Sequence, residues 1–307
     1  MEQPRICVVG ASNLDLISYV PRLPGVGETL HGSRFHMGFG GKGANQAVMA
    51  ARLGAEVAMI TKLGKDVFGE NTLKNFQAEG VDCRHVHFTD QAFSGVAPIA
   101  VDPEGRNSII IVTGANDLLT AAEVESARPL IASAQVLVCQ LEIPLALNLL
   151  ALRIAREAGV RTIFNPAPAR PELPAEVYGW SDVFCPNESE TEILTGLPVR
   201  SLPEAEAAAR ALLARGPRAV VLTLGERGSL LATTERTWHV DAPRLKALDT
   251  TGAGDAFVGS LAFFLARGLD LEEAMRRAVR IASISVQSSG TQSSFPRAAE
   301  LPATLLS

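Results

Sequence analysis

Asp249-Thr250-Thr251-Gly252-Ala253-Gly254-Asp255-Ala256-Phe257-Val258-Gly259 is the stretch from which the rest of this chain can be read. Its eleven residues hold two threonines, three glycines and two aspartates. A helical pattern starts inside it and continues through Ala256, Phe257, Leu261, Phe264 and Leu265. Glycines let consecutive N–H groups turn toward one point with no Cβ in the way. A helix beginning there adds its unpaired N–H groups and the positive end of its dipole. The pattern predicts an anion hole. Asp255 falls on the first helical turn beside it, where a carboxylate repels the anion that the hole attracts. Such a placement makes chemical sense if Asp255 takes a proton from the group that attacks the anion. The same residues also fit a glycine-rich loop capped by Asp255, and this stretch alone leaves both readings open.

Outward from this stretch, short apolar runs alternate with longer helical patterns. Strands are predicted at 5–10, 57–61, 135–141, 160–164, 182–185 and 218–224. Helices are predicted at 44–53, 66–79, 145–158, 187–195, 203–215 and 256–267. This rhythm implies an α/β fold, a mostly parallel sheet with helices on both faces. Two stretches break it. Residues 14–38 hold β-like pieces around Pro21, Pro24 and Gly25. Residues 92–112 hold strand-like pieces at 94–101 and 107–112, joined by the turn Asp102-Pro103-Glu104-Gly105. Both are expected to leave the main sheet and pair as a small β appendage of one domain spanning 1–307.

Unusual polar residues follow the predicted strands. Asn13 and Asp15 come after the first, Gln140 and Glu142 after Val136–Cys139, and Asn165 after Thr162–Phe164. Asn187 and Glu190 follow Val183–Cys185, and Thr223 to Gly228 follow Ala219–Leu222. In open α/β sheets the ligand crevice lies at the carboxyl ends of the strands, so this recurrence predicts an active site along one sheet edge.

Composition narrows the partners. A net charge of −5 over 307 residues argues against nucleic acid or an anionic membrane. The apolar stretch Val136 to Leu152 is interrupted by Gln140, Glu142, Pro144 and Asn148, which disfavours a membrane span. The start Met1-Glu2-Gln3-Pro4-Arg5 runs straight into Ile6-Cys7-Val8-Val9 without a signal-peptide layout. Cys7, Cys83, Cys139 and Cys185 are scattered with no C-x-x-C pair, which reads as reduced thiols of a cytoplasmic protein. His85 and His87 share one strand face, with no third ligand nearby in sequence to make a zinc site.

A second glycine-rich loop, Gly38-Phe39-Gly40-Gly41-Lys42-Gly43-Ala44-Asn45, matches G-x-G-x-x-G. A dinucleotide site needs a strand directly before that loop and an acidic residue ending the next strand. Here the next strand ends at Ile60-Thr61-Lys62, with no acid. A G-x-x-x-x-G-K-[ST] phosphate loop also fails, because Gly43 follows Lys42. What remains is a helix N-terminus with exposed amides and the side chains of Lys42 and Asn45, suited to a small polyhydroxy ligand.

Gly40-Gly41-Lys42-Gly43-Ala44-Asn45-Gln46-Ala47 and Asp249 to Asp255 closely resemble the two signature regions of the ribokinase-like (PfkB) carbohydrate kinases. So do Asn165 to Ala169, the N-x-x-E pair Asn187 and Glu190, T-x-G-x-x-G at Thr223 to Gly228, and Gly290-Thr291-Gln292-Ser293-Ser294. The resemblance covers nearly the whole chain. It implies a three-layer α/β/α domain with a β lid at about 14–38 and 92–112. It further implies transfer of a phosphoryl group from ATP to the primary hydroxyl of a sugar, D-ribose to D-ribose 5-phosphate.

By that resemblance Asp255 is the catalytic base and Gly252, Ala253 and Gly254 form the anion hole. The sugar contacts fall on Asn13, Leu14, Asp15, Gly41, Lys42, Gly43, Ala44, Asn45 and Glu142. ATP falls on Asn187, Thr223, Leu224, Gly225, Glu226, Arg227, Gly228 and Gly254. Glu190 organises Mg²⁺ through water. K⁺ is expected at Asp249, Thr251, Ser285, Ser288, Gly290 and Ser294, and a homodimer through the lids. A kinase for 2-deoxyribose or another sugar or nucleoside stays open, as do a dinucleotide oxidoreductase, which lacks the acidic ribose reader, and a non-catalytic sugar-binding regulator, which has no use for Asp255.

Overall fold

The computed structural model describes residues 3–306. Met1, Glu2 and Ser307, the ends of the 1–307 span taken above as one domain, lie outside the described residues. The chain enters through β1 (Arg5–Val9), whose residues alternate between two cores. Ile6 and Val8 face one apolar cluster, and Cys7 and Val9 face another. After three residues the chain leaves the main sheet as β2 (Asn13–Tyr19) and returns as β3 (Arg34–Gly40). The main sheet resumes with β4 (Glu56–Gly64) and β5 (Asp82–Thr89). A second excursion makes β6 (Gly95–Val101) and β7 (Asn107–Ile109). The rest of the main sheet is β8 (Val136–Cys139), β9 (Arg161–Phe164), β10 (Val183–Phe184), β11 (Ala219–Thr223), β12 (Ser229–Ala232) and β13 (Thr237–Val240).

The nine-stranded sheet runs β13-β12-β11-β10-β9-β8-β1-β4-β5. It is parallel from β11 to β5, with β12 and β13 added antiparallel. Helices Lys42–Arg52, Val67–Ala78, Ala253–Ala266 and Leu271–Ser285 contribute to the cluster on one face. The helices between Ala121 and Leu213 cover the other. Three layers follow, as expected. The lid is a separate sheet ordered β3-β2-β6-β7. Its expected limits move slightly. The second lid strand runs to Gly40 rather than 38, and regular pairing in the last stops at Ile109, leaving Val112 as a single bridge to Val96.

Helix Ala253–Ala266 is apolar all round, and Asp255 to Ala266 are buried. It packs between helices Lys42–Arg52 and Leu271–Ser285. Phe264 is fully buried, so truncation to alanine costs about 3–5 kcal/mol. Gly259 sits where the helix crosses Lys42–Arg52. A Cβ there would lie 2.6 Å from the Gln46 carbonyl oxygen and 2.8 Å from Met49 Cβ. This close crossing brings the start of one signature helix against the start of the other.

Candidate active site

Gly252 is the N-cap of helix Ala253–Ala266, with φ 78° in the left-handed region that favours glycine. A Cβ there would also meet Thr291 Cγ2 at 2.8 Å. The Ala253 N–H is turned back to the Thr250 carbonyl at 3.2 Å. The N–H groups of Gly252, Gly254 and Asp255 meet no acceptor among the described residues. Three N–H groups thus stand free at this helix start, while the Ala253 N–H is used inside the turn rather than left as a free donor.

Asp255 is buried beside these amides. Its two carboxylate oxygens are gripped separately: Gln46 Nε2 donates to Oδ1 at 2.9 Å and Asn45 Nδ2 to Oδ2 at 2.8 Å. Both amides are held in turn. Gln292 Nε2 donates to Asn45 Oδ1 at 3.1 Å, and Gln140 Nε2 to Gln46 Oε1 at 2.7 Å. Gln46 Nε2 also reaches Asn165 Oδ1 at 3.1 Å. Gln140 and Asn165 were marked in the sequence by their place after strands. Gln46 and Gln292 lie within quoted motifs without an assigned part, and only the fold shows what they hold.

On the lid side, Asn13 and Asp15 share one face of β2, because strand residues two apart point the same way. Thr291 Oγ1 donates to Asp15 Oδ2 at 3.3 Å. A Cβ on Gly40 would lie 2.3 Å from Asp15 Oδ1, so the carboxylate lies tight over β3. Leu14 corrects an expectation. Strand alternation turns its buried side chain to the opposite lid face, away from Asn13 and Asp15. Gly43 and Ala44 also pack inward. A Gly43 Cβ would sit 2.8 Å from Gly10 Cα, and the Ala44 N–H donates to the Ala11 carbonyl at 3.0 Å. Gly41 has φ 86°, and a Cβ there would lie 2.7 Å from the Asn13 nitrogen. The Lys42 N–H donates to Glu142 Oε2 at 2.7 Å.

Burial pushes the Asp15 carboxyl up to about 6, with the Thr291 hydrogen bond opposing and the Asp255 charge adding. Burial likewise raises Glu142, against the Lys42 charge. Burial works against the Lys42 ammonium, but Asp255, Glu142 and Glu190 together outweigh it and hold Lys42 above its usual value. Burial raises Glu190 to about 7, moderated by the Asn187 N–H and by Lys42.

Lys42, Asn187, Glu190, Thr223, Gly252, Gly254 and Asp255 line one cavity. Lys42, expected among the sugar contacts, thus also reaches the side away from the lid. Asn187 and Glu190 form a reciprocal cap on helix Glu188–Thr195: the Glu190 N–H donates to Asn187 Oδ1 and the Asn187 N–H to Glu190 Oε2, both at 2.8 Å. One Glu190 oxygen stays outside the cap. Gly225 to Arg227 make a 3₁₀ turn, with Glu226 exposed. Leu224 is buried in the core and Arg227 is tied to Glu188 and the Val199 carbonyl, so neither side chain turns to the cavity. Gly228 has φ 87°, and a Cβ there would strike the Val240 carbonyl oxygen.

Asp249 laces two segments together. Its Oδ1 accepts the Thr251 N–H at 2.9 Å and its Oδ2 the Gly290 N–H at 2.8 Å. Ser285 Oγ donates to the Ala282 carbonyl and Ser294 Oγ to the Thr291 carbonyl, which leaves hydroxyl lone pairs free. The Ser288 N–H donates to the Ser285 carbonyl.

A model of the pfkB family carbohydrate kinases matches residues 3–298. The chain belongs to the pfkB carbohydrate kinase family. A ribokinase of Mus musculus is 47% identical over 99% of this chain and 95% of its own length. A deoxyribokinase of Salmonella typhi is 43% identical over 95% of each. The solved ribokinase of Arabidopsis thaliana, complexed with ribose and ATP, superposes with a TM-score of 0.90 at 30% identity, covering 99% of both chains. The pfkB match spans both sheets, so lid and main layer are parts of one family architecture.

Proposed function

We infer that this chain phosphorylates D-ribose at its primary hydroxyl with ATP, giving D-ribose 5-phosphate. The observation that carries the reading is the pairing of a buried, doubly gripped Asp255 with free N–H groups at the same helix start. Asp255 takes the proton of the primary hydroxyl as that oxygen bonds to the γ-phosphorus and the bond to the ADP oxygen breaks. The Gly252, Gly254 and Asp255 amides bind the charge on the transferring group. Lys42 adds a fixed positive charge between base and phosphates. Asn13, Asp15, Gly41, Asn45 and Glu142 hold the sugar, and Asp15 accepts hydrogen bonds from its hydroxyls because a carboxylate is acceptor-only. The 223–228 turn and Asn187 carry ATP.

Mg²⁺ fits here through water. Glu190 offers one free oxygen, and among the described residues no three His, Cys, Asp or Glu side chains converge as a metal cage. Bound with ATP, it neutralises phosphate charge. K⁺ fits the oxygen-rich segment of Asp249, Thr251, Ser285, Ser288, Gly290 and Ser294, where it would order the loop that Asp249 already ties.

One lid face carries Phe35, Met37, Leu16, Pro98, Ile110 and Val112, and Met37, Ile110 and Val112 are about half exposed or more. A second copy of the chain clasping lid to lid would cover it. The four free cysteines suit a cytoplasmic site of action.

Coupled ADP release with MgATP is the test, comparing ribose, 2-deoxyribose and fructose in K⁺ and in Na⁺. Ribose is expected to turn over fastest, and in K⁺. Preference for 2-deoxyribose, the acceptor class of one relative, would keep the mechanism and change the substrate. Silence on every sugar would sink the reading.

A further inference from the structure

Asn13 ends in an amide whose two ends offer a sugar opposite things, and the fold decides which end is free. The deciding group is the Ser12 N–H, a backbone donor that cannot reverse its role. Asn116 Oδ1 accepts it at 2.9 Å. Asn116 Nδ2 is thereby the donor end, and it meets the Thr113 carbonyl at 2.8 Å and the Ser12 carbonyl at 3.1 Å, both acceptors. It also donates to Asn13 Oδ1 at 2.9 Å. Asn13 therefore spends its oxygen on Asn116. Its Nδ2 is left with no acceptor among the described residues, yet is not sealed from solvent, although Asn13 is only 4% exposed. Gly95 makes the contact possible: a Cβ there would stand 2.1 Å from Asn13 Oδ1 and 2.3 Å from Asn116 Nδ2. Asn116 itself is fully buried on the 3₁₀ turn Gly114–Leu118, where the chain re-enters from the lid.

We propose that Asn116 is a positioning residue that makes Asn13 a hydrogen-bond donor to the sugar, and so sets the preference for a hydroxylated over a deoxy sugar. This rests on the sugar-kinase reading above. Asp15, on the same lid face, accepts hydrogen bonds from sugar O–H groups, and Asn13 Nδ2 supplies the complementary contact to a hydroxyl oxygen. A deoxy sugar leaves that buried donor unpaired. Asn116 does this without touching the sugar, through the orientation of one amide.

The test is the ratio of kcat/KM for D-ribose to that for 2-deoxy-D-ribose in the full-length wild type and two variants. Asn116→Ala frees the Asn13 amide to rotate, and the ratio is expected to fall by about tenfold or more. Asn116→Asp keeps an acceptor for the Ser12 N–H but sets an oxygen against Asn13 Oδ1, which turns the Asn13 donor away from the sugar. It is near-isosteric, so it decides the matter if the alanine variant does not fold, and the same fall is expected. If both sugars lose kcat/KM by equal factors, Asn116 only braces the lid junction and the proposal is overturned. A wild type active on neither sugar would overturn the sugar-kinase reading and the proposal with it, a result distinct from an active wild type whose variants keep its ratio.

Discussion

Gln46 donates to Asp255 Oδ1 at 2.9 Å from a helix 209 residues earlier in the chain, and one more donor from Asn45 fixes the other oxygen. The plane of the carboxylate is thus set by two side chains of a single helical turn. Replacing Gln46 by leucine removes one grip and also strands the Gln140 amide. Turnover is expected to fall by about tenfold to a hundredfold, with the ribose KM within roughly threefold of wild type, because misorientation is felt in the transition state more than in binding. Steady-state kinetics decide, and a rise in KM at unchanged kcat would place Gln46 in the sugar site instead.

Asp255→Asn removes the proposed proton acceptor. Loss of about 10²–10⁴ in kcat is expected, while ribose affinity measured by calorimetry stays within severalfold. The new amide nitrogen would face the donor of Asn45 or Gln46, so a stability loss of about 1–3 kcal/mol should accompany it in denaturant unfolding. Near-normal turnover would take the base role away from Asp255.

Asp15 gives stability a pH dependence. Its carboxyl holds its proton up to about 6 in the fold, against 3.8 ordinarily, chiefly through burial. Between those values the folded chain binds the proton that the unfolded chain has released. The stability it lends is complete below about 4 and lost as pH rises through about 6. Asp15→Asn, which carries no charge, should therefore exceed wild type in unfolding free energy by about 1–2 kcal/mol at pH 7.5, and by almost nothing at pH 4. An advantage that is the same at both pH values would refute this assignment. The variant is expected to bind ribose poorly throughout.

Ile110 and Met37 lie on the exposed apolar face of the lid. Ile110→Glu together with Met37→Glu should convert a dimer at micromolar concentration into a monomer, read by light scattering. A wild type that is already a clean monomer would refute the lid-to-lid association.

The parallel half of the main sheet was legible because buried strands read as apolar runs flanked by helical periods, as Val136–Cys139 and Ala219–Thr223 do. β5 is missing from the series of predicted main-sheet strands, although His85 and His87 read as sharing one strand face. Its sequence, Asp82-Cys83-Arg84-His85-Val86-His87-Phe88-Thr89, is an edge strand rich in polar side chains. β12 and β13 are four residues each and add antiparallel at the opposite edge, where no crossover helix announces them. The helix Leu271–Ser285 runs into a tail that reads in sequence as a polar loop. In the site, the two glycine-rich loops stood out because their chemistry is local. Asn116 carried no such mark. It is one polar residue in a short turn, and its meaning comes from Ser12 and Asn13, more than a hundred positions away.

β2 follows β1 after only Gly10 to Ser12, so Asn13 and Asp15 belong to the lid while Asp255 and its amides belong to the main layer. Any swing of the lid about that short link would move Asn13 and Asp15, the lid's share of the proposed sugar contacts, relative to Asp255, while Asn45 and Glu142 stay with the main layer. One side chain already joins the two layers without a sugar: the Thr291 hydroxyl donates to Asp15 while its methyl lies beside Gly252, so on the sugar-kinase reading an acceptor seated on Asp15 would be registered directly at the amide hole.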